Sequence, residues 1–452
     1  MITVIKNIKE IVQVEHSIRK WVAGKDMAQL QTIKNAFIEV KDGIISNFGT
    51  MDDWTGIDDW NNTEIIDAND GMVFPSYCDS HSHLVFAGNR ENEWEQRLKG
   101  ASYEEIATSG GGILNSAKKL QQSSEEDLLE SALNRANEIM KMGTGAIEIK
   151  SGYGLTVDAE LKMLRVIKKL KELSPLTIKA TFLGAHAIPQ KYKGNASAYL
   201  DLIINEMLPQ IAKENLAEYI DIFCEEGYFS VEDTERLLTE AKKWGLIPKT
   251  HVNQFNILGG VKASVKHGAL SVDHLEIMNE EDFSALKNSQ CMPTLLPSCS
   301  FFLEIPYGPA RKIIDEGMPV ALATDYNPGS SPSGNMNFVA SLGCIKLKMT
   351  PEEVINATTI NTAYAMGLSH ELGSIAIGKK ANLFITKPMP SYAFIPYSFG
   401  HQNIEKIMIK RNRQRNVPYL MPVKKDITRF YMKVASKVNF YGWSIRNSHK
   451  TV

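Results

Sequence analysis

From Gly71 onward, short apolar runs alternate with longer stretches in which apolar residues recur every three or four positions, and few folds accommodate that texture. Eight runs read as strands, at 72–78, 144–149, 178–183, 219–224, 246–250, 270–272, 291–295 and 319–323. Helical patterns lie between most of them, for example at 125–142, 157–173, 196–214 and 231–244. Alternating strands and helices imply parallel strands with right-handed crossovers. Eight such units over about 300 residues predict an α/β chain folded as a closed (β/α)8 TIM-like barrel. An open doubly wound sheet is the competing architecture, but no Gly-x-Gly-x-x-Gly stands at a strand-to-helix turn.

The two ends have a different texture. Residues 36–45 alternate apolar and polar side chains around Asp42-Gly43, a hairpin signal, and residues 373–385 return to strand chemistry after the barrel. These ends are expected to pair as one small β-sandwich domain. The division is then 1–70 and 373–423 for that domain, 71–372 for the barrel, and 424–452 for a basic tail. At 452 residues the chain suits a large barrel with such an accessory module.

Barrels of this class work at the carboxyl ends of their strands. The expected strand ends deliver His81 and His83, Lys150, His186, His251, His274 and Asp325, so five of the ten histidines fall on one rim. Side chains alternate along a strand, so His81 and His83 point the same way and can grip one ion together. Three imidazoles and a carboxylate suit one divalent or trivalent transition metal ion, zinc or iron, with a position left for water. Such an ion lowers the pKa of that water to ~7, which is a hydrolase's equipment.

The net charge of −2 gives no reason to expect nucleic acid or an anionic membrane as partner, and leaves a small-molecule substrate. No apolar segment approaches the ~20 residues that cross a bilayer, and the amino terminus lacks the pattern of a signal peptide. The five cysteines form no Cys-x-x-Cys and read as buried thiols in a reducing compartment, so a cytoplasmic location is expected.

The rim pattern resembles the amidohydrolase superfamily and, within it, the imidazolonepropionase family. The matching segments are Leu84-Val-Phe-Ala-Gly-Asn-Arg-Glu, Ser109-Gly-Gly-Gly-Ile-Leu, Glu148-Ile-Lys-Ser-Gly-Tyr-Gly-Leu, Gly184-Ala-His-Ala-Ile-Pro and Ala323-Thr-Asp-Tyr-Asn-Pro-Gly-Ser. The resemblance covers residues 30 to 415 and implies hydrolytic opening of 4-imidazolone-5-propanoate to N-formimidoyl-L-glutamate in histidine breakdown. By matched position, His81, His83, His251 and Asp325 are implied as metal ligands. His274 is implied to orient or deprotonate the water, with Asp325 as proton acceptor. Arg90 is implied to face the propionate, where a guanidinium fork suits a carboxylate. Tyr153 and His186 are implied to contact the ring and its carbonyl oxygen, with His186 counted among the catalytic groups. Asn327, Gly329 and Ser330 are implied to line a substrate loop, and a homodimer is the family expectation.

Gln254 stands where related deaminases carry a proton-shuttling glutamate, and an amide cannot exchange a proton near neutral pH. Deamination is therefore disfavoured, and Gln254 reads as a hydrogen-bonding contact to substrate. The fourth strand ends in Cys224-Glu225-Glu226, without the lysine that bridges two metals in binuclear relatives, so one metal is expected. Ser80 and Asn382 also depart from the family pattern. Two other readings remain open: a different mononuclear cyclic-amide hydrolase, and a non-catalytic scaffold on the same fold.

Overall fold

The computed structural model describes residues 1–57, 59–101, 105, 111–409 and 419–422. Five strands precede the barrel: β1 (Ile2–Val12), β2 (Thr32–Lys41), β3 (Ile44–Thr50), β4 (Thr63–Asp67) and β5 (Gly71–Pro75). The barrel strands are β6 (Tyr77–Asp79), β7 (Thr144–Lys150), β8 (Thr177–Ala185), β9 (Tyr219–Cys224), β10 (Ile247–Val252), β11 (Ser271–His274), β12 (Met292–Leu295) and β13 (Ala321–Leu322). After them come β14 (Leu383–Pro388), β15 (Ile404–Ile409) and β16 (Tyr419–Pro422).

Strands from both ends of the chain share one eight-stranded sheet in the order β16-β15-β14-β5-β1-β2-β3, with β4 also on β1. The β2–β3 hairpin turns through Asp42 and Gly43 at φ 52° and 78°, the left-handed pair that such a turn requires. This sheet has a core of its own, with Ile5, Ile8, Ile11, Ile38, Val40 and Leu383 among its buried members.

The apolar run at 72–78 is two strands, not one. Gly71–Pro75 pairs with β1 and β14, while Tyr77–Asp79 pairs with β7. The change of partner falls at Ser76, whose N–H bonds the Asn382 carbonyl, and at Tyr77, whose N–H bonds that of Gly143. Every residue from Gly71 to His83 is buried, so apolarity is continuous across the switch and does not mark it. Gly145 allows the crossing, since a Cβ there would lie 2.1 Å from the Ser76 hydroxyl oxygen.

The barrel strands run parallel and neighbour one another in chain order. The first and last strands are joined beyond their ladder ends. Asp325 N–H donates to the His81 carbonyl at 3.0 Å, and His83 N–H to that of Tyr326 at 2.9 Å. Below them the Asp79 carboxylate accepts the Thr324 hydroxyl at 2.6 Å and its N–H at 3.1 Å. Several outer helices begin on side-chain caps. Thr156 accepts from Ala159 N–H ahead of Val157–Leu173, and Ser230 with Asp233 forms a capping box ahead of Val231–Lys242. Helix Val157–Leu173 buries Leu161, Leu164 and Ile167 at three-residue spacing against the barrel. The basic tail at 424–452 lies outside the described residues, as do Ser109 and Gly110 of the glycine run.

Candidate metal centre and active site

His81, His83 and His251 converge at the carboxyl end of the barrel, each offering a ring nitrogen within 4.8 Å of the others. Asp325 joins them, with one carboxylate oxygen 3.5 Å from Nε2 of both His81 and His83. The four residues implied as ligands share one buried centre.

Two of these imidazoles are aimed from behind by carboxylates. His81 Nδ1 donates to Asp273 at 2.7 Å, and His251 Nδ1 to Asp221 at 2.9 Å. Each therefore keeps its proton on Nδ1 and turns the Nε2 lone pair inward. Among the described residues, His81 Nε2 and His251 Nε2 are buried with no hydrogen-bond partner. Buried polar atoms are rarely left so, and two such lone pairs facing a carboxylate fit a cation. A transition ion suits this donor set of imidazole nitrogens and one carboxylate.

Burial dominates the electrostatics. It drives His81 and His83 well below the usual imidazole range and His251 down to about 3, against the pull of Asp221 in the last case. His186 is driven down to about 4 by burial, opposed by its bond to the Gly152 carbonyl. Burial lifts Asp325 to about 6 and Asp79 to about 7. His274 moves the other way: burial depresses it, but Glu276, Asp325 and Asp273 outweigh that and hold it above its usual value.

An imidazole neutral in the fold but free to protonate at about 6.5 when unfolded contributes stability that is complete above 6.5 and lost as pH falls towards its folded value. Four imidazoles act this way, while the buried carboxyls raised in the fold, Asp325 and Asp79 with Asp273, Glu160 and Asp282, oppose them as pH falls.

Tyr153, His186, Gln254, His274, Asn327 and Ser330 sit around a small cavity of about 60 Å³ that His83 also lines, while Arg90 and Gly329 lie outside its lining. His186 stacks on His83 with ring centroids 5.1 Å apart, and Tyr153 meets both rings edge-on. The Ser151–Leu155 loop that carries Tyr153 is held by the buried carboxylate of Glu160, which accepts N–H groups from Gly152, Gly154 and Leu155. Gly152, at φ +110°, has no room for a side chain, since a Cβ would lie 2.9 Å from His186 Nδ1. Nδ1 of His186 bonds the Gly152 carbonyl at 3.2 Å, so its neutral ring presents Nε2 as an acceptor.

The Asn327–Ser330 turn is self-contained. Asn327 Oδ1 accepts N–H from Gly329 and Ser330, and its amide donates to the Asp325 carbonyl and the Ser330 hydroxyl, each within 2.8 Å. With those four positions filled, Asn327 shapes the turn and has no spare donor. The Ser330 hydroxyl in turn reaches Asp325 at 3.3 Å. Arg90 lies across this turn: a Cβ on Gly329 would meet its guanidinium at 2.1 Å. The other side of that guanidinium bonds Glu93, through Nε at 2.7 Å and a terminal nitrogen at 2.6 Å. Gln254 is buried in the cavity wall with its amide nitrogen 3.5 Å from the Cys299 sulfur.

Sequence reasoning missed the layer underneath. Lys150, expected at the rim, points into the barrel and is fully buried with Glu148, Asp221, Lys249 and Asp273. It also missed Glu276, whose Oε1 accepts from His274 Nδ1 at 3.3 Å. A signal existed, because Glu148 and Lys150, and Lys249 and His251, stand two apart and so share a strand face. His274 and Asp325 leave strand geometry, at φ 89° and 54°, conformations that residues with side chains seldom adopt.

A family model described as the amidohydrolase family matches residues 72–421. The chain is 60% identical over 409 residues to an imidazolonepropionase of Flavobacterium johnsoniae, covering 90% of this chain and 99% of that one. It is 60% identical over 410 residues to an imidazolonepropionase of Christiangramia forsetii, with the same coverage, and 42% identical over 406 residues to that of Alkaliphilus oremlandii, covering 89% and 96%. Among solved structures it superposes on a triazine hydrolase variant with a TM-score of 0.70 at 13% identity, covering 96% of this chain and 99% of that one. It also superposes on a guanine deaminase from C. acetobutylicum, with a TM-score of 0.65 at 16% identity and coverage of 91% and 99%. At those identities the likeness speaks for the barrel alone.

Proposed function

The chain belongs to the amidohydrolase family, among its imidazolonepropionases, and we propose that His81, His83, His251 and Asp325 hold its metal while His274, backed by Glu276, moves the protons. It is a hydrolase that opens the cyclic amide of 4-imidazolone-5-propanoate to N-formimidoyl-L-glutamate. The observation that carries the residue assignment is the pair of inward, unpartnered Nε2 atoms on His81 and His251 beside Asp325. When bound, the ion supplies a water acidified to ~7 and polarises the carbonyl under attack. Nitrogen and oxygen donors in this ratio suit zinc or iron, and metal analysis of purified protein beside an assay for loss of the imidazolone ring tests the assignment. Full turnover by metal-free protein would end it.

With its Nδ1 proton committed to Glu276, His274 turns a lone pair towards the centre and accepts the proton of the attacking water. The neighbouring carboxylates Glu276 and Asp325 stabilise the imidazolium that results, so the ring can hold that proton and then give it to the leaving nitrogen. Asp325 is the alternative acceptor beside it. Gln254 cannot exchange a proton and serves as a hydrogen-bonding wall for the ring. His186 takes a role different from the one expected of it: a neutral ring with Nδ1–H on Gly152 receives a hydrogen bond, so it suits a ring N–H better than a carbonyl oxygen. Tyr153 closes the same side of the ring.

Arg90 takes the propionate with the part of its guanidinium that faces Gly329, while Glu93 holds the other side in place. Losing a charge-assisted bond worth ~1.5–3 kcal/mol should raise KM for Arg90→Ala by roughly 10- to 100-fold with kcat little changed. Steady-state kinetics check it, and an unchanged KM takes Arg90 out of the substrate site.

A reducing, cytoplasmic setting is supported by five free thiols, four of them buried. Among the described residues no helix is long and apolar enough to cross a membrane. The homodimer completes the proposal, together with a division at 372 and at Ser76, where the chain changes sheets, in place of the one expected at 70. Light scattering tests the first and limited proteolysis the second.

A further inference from the structure

Beneath the candidate centre the ligands His81 and His251 are linked through a single ammonium. The Asp221 oxygen that receives His251 Nδ1 is the one that Lys150 Nζ approaches at 2.8 Å. The Asp273 oxygen that receives His81 Nδ1 is likewise the one nearest Lys150, at 3.6 Å. Lys150 completes its shell with Glu148 at 2.7 Å, and no solvent reaches any of these groups. A continuous path thus runs from one imidazole to the other: His251, Asp221, Lys150, Asp273, His81.

The second oxygen of each carboxylate is engaged elsewhere. That of Asp221 takes the backbone N–H of His251 at 3.0 Å, and that of Asp273 takes the Ser271 hydroxyl at 2.6 Å. The carboxylates are therefore fixed in rotation, and the ammonium meets them at the oxygens that also hold imidazole. Lys249 is the natural comparison, being equally buried. Its bonds go to Glu148 and to the carbonyls of Ser80 and Ala365, and although its charge also acts on Asp273 it makes no bond or ion pair with either oxygen that holds an imidazole.

We propose that Lys150 is a positioning residue for the metal centre, setting the aim of two ligand imidazoles at once through Asp221 and Asp273. The inference rests on the ligand assignment proposed above. A lysine present only to neutralise buried acids would be matched by Lys249. A lysine that orients ligands is not matched, because groups behind a metal-binding histidine typically change metal affinity by ~10–100-fold when lost.

Metal-stripped full-length protein is titrated with zinc and with cobalt(II) against a competing chelator, alongside thermal midpoints and the visible spectrum of the cobalt form. Lys150→Met is expected to weaken both ions by ~10–100-fold and to shift the cobalt bands. Lys249→Met is expected to lower the midpoint while leaving affinity and bands as in the wild type. Should Lys150→Met fail to fold, Lys150→Gln retains a donor without the charge, and its affinity should fall at least several-fold below that of the wild type. Wild-type affinity in the folded Lys150 variant, or equal weakening by Lys249→Met, overturns the proposal. A wild type that takes up no ion overturns the ligand assignment itself, a result distinct from both.

Discussion

Replacing His251 with alanine is expected to abolish both metal uptake and hydrolysis while the barrel remains folded. His251 supplies one of three imidazoles around the centre, and its Nε2 has no other partner. Without it the remaining donors are His81, His83 and Asp325, and the aim provided by Asp221 has nothing left to act on. The lost acidification and carbonyl polarisation amount to several kcal/mol, roughly 10³-fold or more in rate. Asp221 keeps Lys150 as a partner, so the substitution leaves no unpaired buried charge and the strand survives. Metal content, circular dichroism and turnover measured on one preparation decide the matter. Undiminished turnover would sink the site.

His274→Ala separates proton transfer from metal binding. Its Nδ1 belongs to Glu276, and it stands outside the four residues assigned to the ion. The variant should bind metal at the wild-type level and keep a similar KM, while kcat drops by about 10²–10⁴-fold, the usual contribution of a positioned acid–base group. Loss of metal would move His274 among the ligands, and an unchanged kcat would leave the proton to Asp325. Removing His251 and removing His274 thus give different signatures, although the two rings lie only 5.2 Å apart.

The parts of this molecule that repeat were the legible ones. Strand and helix periods located all eight barrel strands, and the period of two along a strand explains why His81 and His83 face one point. The segments named by resemblance, from Glu148-Ile-Lys-Ser-Gly-Tyr-Gly-Leu to Ala323-Thr-Asp-Tyr-Asn-Pro-Gly-Ser, fall at the centre or in the loops beside it. The split at Ser76 was hidden because burial is unbroken on both sides of it. Asp273 next to His274 was hidden for another reason. Adjacent strand residues face opposite ways, yet both serve the site, because the backbone turns out of the strand at His274. Glu276 follows from the same turn. Lys150 looked like a rim residue since it ends its strand, and only the acids from three other positions explain why it points inward.

The join between Asp325 and His81, and between His83 and Tyr326, means that the coordination proposed for the ion is assembled from opposite extremes of the barrel's chain. No shortened version can keep it. A fragment ending before residue 320 has three imidazoles with no carboxylate opposite them, and one starting after residue 84 has the carboxylate with a single imidazole. The four side chains therefore meet only once the last barrel strand has closed against the first.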